Sequence, residues 1–150
     1  MAGPTTLLVP MDGSPLSKQA LHIALEEYPD ADVTVLHVID PTTPGYSYAL
    51  DIDLDREPLH ASEAWYERSE ELAEQLFDDA RDIAEEHDRE LTTATVVGEP
   101  GRQIIAFVTD HDIDQIVVGR HGRDSEDSQL LGSVTESIMF RSPVRVLMVQ

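Results

Sequence analysis

Five short apolar runs recur along the chain, at residues 5–10, 32–39, 91–97, 115–119 and 144–149. Each is rich in Val, Leu or Ile and is bounded by Gly, Pro or Asp. Such compact runs predict strands buried on both faces, as in a parallel sheet. Between them the apolar positions change to a helical period. Residues 14 to about 28 place Leu16, Ala20, Ile23, Ala24 and Leu25 on one side, with Ser14 as cap and Pro15 at the first helical position. Residues 61 to about 87 carry Trp65, Leu72, Ala73, Leu76, Phe77, Ala80, Ile83 and Ala84 at helical spacing. The other side of that segment bears Glu67, Glu70, Glu71, Glu74, Asp78, Asp82 and Glu85, a solvated face. A third helix is predicted from Gly101 to about His111, after Pro100, with Ile104, Ile105 and Val108 inward. A short fourth runs from Ser133 to Phe140 with Val134 and Ile138 inward.

Five strands therefore alternate with four helices, which predicts an α/β fold: a doubly wound five-stranded parallel sheet with helices on both faces. Right-handed crossovers leave few arrangements, and the order 3-2-1-4-5 is expected. One connection breaks the pattern. Residues 40–60, with Pro41, Pro44, Gly45, Pro58, Tyr46 and Tyr48, far exceed the usual ~2–6 residues of such a loop. They form either an exposed insertion or a lid or partner surface beside a ligand.

Charge narrows the setting. Asp and Glu number 30 against 10 Lys and Arg, a formal net charge of −20, and Lys18 is the single lysine. The carboxylates are interleaved with apolar residues over the whole length, unlike a disordered acidic tail. No basic stripe is present, so direct contact with nucleic acid is not expected. The balance suits a halophile's cytoplasm, where molar salt cuts the Debye length to roughly 3 Å and screens self-repulsion. Cysteine is absent, which excludes disulfides and thiol chemistry. The opening Met-Ala-Gly-Pro-Thr-Thr is not a signal peptide, and no apolar run nears the ~18 residues of a membrane span. A cytoplasmic protein is expected.

In an open parallel sheet, ligands sit beyond the carboxyl ends of the strands where the winding reverses, here between the first and fourth strands. The residues leaving those strands are Pro10-Met11-Asp12-Gly13-Ser14 and, after Val118, Gly119-Arg120-His121-Gly122. After nine intervening residues come Gly132, Ser133 and Val134. Gly119 and Gly122 are expected to let backbone amides approach an anion without a Cβ in the way. Gly132 and Ser133 open a helix whose unpaired amides and positive dipole end favour phosphate, and Ser133 adds a hydroxyl. The plainer alternative is that these glycines only serve turns. Asp12 either accepts hydrogen bonds from an adenine amino group or ribose hydroxyl, caps the first helix, or does both.

Other chemistry finds little support. The six histidines (22, 37, 60, 87, 111, 121) show no paired metal-ligand spacing, so no metal site built by the chain is expected. His121, inside the glycine loop, is either a variable position or a phosphate contact. A Walker P-loop and a Gly-x-Ser-x-Gly nucleophile elbow are both missing, and no carboxylate pair stands out as catalytic.

The opening Leu8-Val9-Pro10-Met11-Asp12-Gly13-Ser14, the segment Val35-Leu36-His37-Val38-Ile39, the Gly-x2-Gly-x9-Gly-Ser pattern and the closing Ser142-Pro143-Val144-Arg145-Val146-Leu147-Met148-Val149 resemble the universal stress protein family. The match spans essentially the whole chain as one domain, and the glycine pattern resembles the family's ATP-binding branch. The resemblance implies a Rossmann-like, adenine nucleotide alpha hydrolase-like fold. It places Asp12 and Val38 at the adenosine, and Gly119, Gly122, Gly132, Ser133 and Val134 at the ribose and phosphates. The cofactor would be ATP, ADP or AMP, with or without Mg²⁺. It also implies a stress-response homodimer joined through the last strand, between Val144 and Val149; with the sequence ending at Gln150, that strand would otherwise be a bare apolar edge. One departure stands out. Where the family usually carries small and basic residues, residues 123–129 include Asp124, Glu126 and Asp127, only partly offset by Arg120 and Arg123. These carboxylates would repel a triphosphate, so AMP or ADP is expected to suit the site at least as well as ATP.

A regulatory binder whose ligand shifts its conformational population is therefore expected, in preference to an enzyme. Two alternatives are a slow ATPase or phosphotransferase using Ser133, His121 and Mg²⁺, and a dimeric interaction module with an empty site.

Overall fold

The computed structural model describes residues 3–41, 62–121 and 132–150. Its elements run β1 (Thr6–Pro10), α1 (Pro15–Glu27), β2 (Asp32–Ile39), α2 (Glu63–Glu86), β3 (Thr92–Val97), α3 (Pro100–Asp110), β4 (Gln115–Gly119), α4 (Ser133–Arg141) and β5 (Arg145–Val149). The five strands pair in parallel in the order β3-β2-β1-β4-β5, the expected doubly wound arrangement. The predicted acidic loop after residue 121 and most of the long connection after residue 40 lie outside the described residues.

Burial explains the strand composition. β4 is buried throughout, as are nearly all of β1 and β2, whereas the edge strands β3 and β5 are mostly half-buried. On one face Leu7, Val9, Val33 and Val35 pack under Ala20, Leu21 and Ala24 of α1 and Phe77 and Ala80 of α2. On the other, Leu8, Leu36 and Ile116 pack under Ile104 and Val108 of α3 and Ile138 of α4. Helices thus cover both faces.

Caps set the helix starts. Ser14 Oγ accepts the Ser17 amide at 3.2 Å, and Ser62 Oγ accepts that of Trp65 at 3.1 Å. The third helix begins at Pro100, one residue before the sequence suggests. Proline has no amide to orphan at that position, and the Glu99 carboxylate takes the Gly101 and Arg102 amides at 3.1 and 2.8 Å. At the far end of α1, the Arg89 guanidinium donates to the carbonyls of Leu25, Tyr28 and Ala31, satisfying acceptors that a helix end leaves open.

The start of β1 is pinned by Asp114, whose Oδ2 accepts from the Thr5 hydroxyl at 2.6 Å and from the Thr5 and Thr6 amides at 2.9 Å each. The Thr5 hydroxyl first, then the two amides, hold this carboxyl below its ordinary range. A carboxylate with a lowered folded pKa contributes stability above its unfolded value of about 3.9, and that contribution fades as pH falls through the lower folded value. Asp114→Asn should therefore be less stable than wild type at pH 6, with the gap closing progressively below about pH 4. Paired urea titrations across pH 2–6 check this; a gap independent of pH contradicts it.

Candidate nucleotide site

The carboxyl ends of β1 and β4 diverge at the switch point, opening a cleft that is continuous with solvent. The end of β1 contributes Pro10 and Asp12, and the first turn of α1 contributes Ser14 and Ser17. Across the gap stand Val118, Gly119 and His121, with Gly132, Val134 and Thr135 from the start of α4. The crevice lies where strand order alone predicts it.

Local chemistry shapes each wall. Gly13 adopts φ 83°, a left-handed conformation that lets the chain turn sharply between β1 and α1. Asp12 is buried at 7 % exposure, and its Oδ1 accepts the Ser14 amide at 2.9 Å. Asp12 thus closes the turn just ahead of the Ser14 cap while lining the cleft. Opposite, Gly132 is the N-cap of α4, in extended conformation and with no side-chain cap bond. Its own amide donates to the Arg120 carbonyl at 3.0 Å, which holds the helix start against the end of β4. Among the described residues, Arg120 Nε is buried without a hydrogen-bond partner, a cationic donor held next to the anion-favouring helix end.

Of the residues expected from the sequence, Pro10, Asp12, Val118, Gly119, Gly132 and Val134 wall the cleft. Met11 and Val38 do not. Alternation along the strands turns Met11 into the core shared with Val9, and Val38 into the opposite core with Leu36 and Ile104. Ser133 is exposed at the head of α4, and Arg120 is half-buried beside the cleft without walling it. Gly122 lies outside the described residues.

Gly119 carries a packing constraint as well as its place in the cleft wall. A Cβ there would sit 2.9 Å from the Leu16 Cβ and 3.3 Å from its backbone, so the bare position is needed to seat α1 against β4. The sequence pointed to the cleft role and gave no sign of this packing role. Ser17 and Thr135 were missed, because neither belongs to a recognisable motif. Thr135 Oγ1 donates to the Gly119 carbonyl at 2.7 Å and Ser17 Oγ to that of Ser14 at 2.8 Å, so each braces one wall.

An α/β protein with a cleft at the switch point of a 3-2-1-4-5 sheet is the class these features define. The chain belongs to the universal stress protein family, whose signature matches residues 4–150. It is 31% identical over 153 residues to "Universal stress protein MJ0577" of Methanocaldococcus jannaschii, covering 96% of this chain and 93% of that protein. The solved structure of universal stress protein UspA from Lactobacillus plantarum superposes with a TM-score of 0.77 at 25% identity, over 100% of both chains. A universal stress protein solved in complex with cAMP superposes with a TM-score of 0.69 at 22% identity, over 99% of both chains. These neighbours share the adenine nucleotide alpha hydrolase-like fold. Among the described residues no helix is long and apolar enough to cross a membrane.

Proposed function

We propose that the cleft binds an adenine nucleotide and that the protein works as a regulatory stress-response homodimer, not as a catalyst of turnover. The observation that carries this is the pairing, across one cleft, of a buried carboxylate at Asp12 with the glycine-capped N-terminus of α4 at Gly132. Asp12 accepts hydrogen bonds from the sugar or base, while the amides of the α4 first turn take phosphate oxygens, with Arg120 close by to offset charge. A family member with cAMP in its structure supports an adenine ligand. Asp12 is the one carboxylate among the described residues of the cleft wall, too few hard oxygens to hold Mg²⁺ alone. The ion would enter bound to the nucleotide's phosphates. The acidic residues 124–127 favour AMP or ADP over ATP at low salt.

The dimer is supported by β5, an edge strand that follows the exposed Met139 and Phe140 of α4, the latter 82% exposed. Adaptation to a salt-rich cytoplasm is supported by the net charge of −20.

Calorimetric titration with AMP, ADP and ATP tests the proposal. Asp12→Ala should weaken AMP at least about tenfold, the ~1.4 kcal/mol of a lost polar contact. Asp12→Asn keeps an acceptor for the Ser14 amide and separates turn stability from ligand contact. Equal affinity in all three proteins would remove Asp12 from the site.

A further inference from the structure

At the opposite end of α1 from the cleft, the fold gathers a second group of chemistry-bearing side chains. His22 and Glu26, one turn apart, share a face of α1, and His87 caps the C-terminus of α2 beside them. His22 Nδ1 and His87 Nε2 are 3.0 Å apart with their rings edge-on, and one donor atom from each of the three residues lies within 4.8 Å of the others. The histidines are separated by 65 positions, so linear spacing hides the pair. Other ring nitrogens are spent differently: His37 Nδ1 lies 2.9 Å from the Met11 carbonyl and His111 Nδ1 3.1 Å from that of Phe107.

We infer that His22, Glu26 and His87 form a site for a late first-row divalent cation, Zn²⁺ above all, which clamps α1 to the end of α2. Two nitrogens each bound about 2.0–2.1 Å from one ion stand roughly 2.9–3.4 Å apart at ordinary coordination angles, and the observed separation falls in that interval. Two imidazoles and a carboxylate suit Zn²⁺, Ni²⁺ or Cu²⁺, whereas Mg²⁺ and Ca²⁺ prefer oxygen alone. Three protein ligands leave a further position for water. The negative end of the α2 dipole at His87 adds a field that favours a cation. Both helices pack on the same face of the sheet, so an ion bound across them stabilises the folded chain by mass action. The simpler use of this geometry, one imidazole donating to the other, needs no carboxylate and no ion.

The test uses the full-length chain, stripped with chelator and held in about 1 M KCl to suppress binding by its diffuse negative charge. Co²⁺ is titrated and its visible absorption followed, then displaced with Zn²⁺. The site predicts one Co²⁺ per chain, displacement by Zn²⁺, and a melting temperature raised by Zn²⁺. His22→Gln and His87→Gln should each weaken the metal by more than the roughly tenfold that loss of an outer partner costs. Glu26→Gln, at an exposed position, covers the case in which a histidine variant misfolds and should also weaken binding. No spectral change up to millimolar Co²⁺, or equal affinity in wild type and every folded variant, overturns the site.

Discussion

Gly132→Val is expected to lower adenine-nucleotide affinity about a hundredfold, ~2.7 kcal/mol, while leaving the urea midpoint close to wild type. The backbone at 132 (φ −66°, ψ 153°) lies in the extended region that valine readily adopts, so the substitution imposes no conformational strain. Its amide bond to the Arg120 carbonyl and its carbonyl bond to the Glu136 amide can both persist. What changes is the cleft wall, where a branched side chain now stands at the helix start proposed to hold the phosphate. Titration with AMP beside a urea melt separates the two effects. Wild-type affinity in the folded variant would place the phosphate elsewhere.

Gly119→Val is the opposite case, since its main effect falls on stability. The first added carbon meets the Leu16 Cβ at 2.9 Å and the Leu16 backbone at 3.3 Å, and the two further methyl groups find a fully buried strand around them. A helix backbone cannot retreat as a flexible side chain would. The expected cost is about 3 kcal/mol, at the upper end of overpacking. Because α1 carries Ser14 and Ser17 into the cleft, nucleotide affinity should fall as well. Gly119→Ala, with one clash and no branching, should lie between the two proteins in stability. A valine variant as stable as wild type would show that α1 is not seated against residue 119.

These two glycines also mark how far the sequence could be read. Strand positions were legible because buried parallel strands form apolar runs; β2 and β4 match the expected spans, and β1, β3 and β5 each begin one residue later. The sheet order followed from right-handed crossovers, and the cleft position followed from the order. Pairwise distances were not legible. The packing role of Gly119 was hidden because its partner, Leu16, lies on an element that only the tertiary fold brings near. Val38 and Met11 looked like site residues because linear motifs do not say which face of the sheet a side chain takes. Thr135 and Ser17 carry ordinary residue types whose value comes from the carbonyls they reach. His22 and His87 met for the same reason: helix packing, which leaves no signature in spacing, closes the gap.

Crystals of the wild-type chain grown with millimolar AMP offer the most direct measurement. The account predicts the phosphate against the amides of the first turn of α4, from residue 133 on, and the adenosine within hydrogen-bond reach of the Asp12 carboxylate. An AMP molecule ordered elsewhere, or this cleft filled by the chain's own residues at saturating ligand, would contradict it.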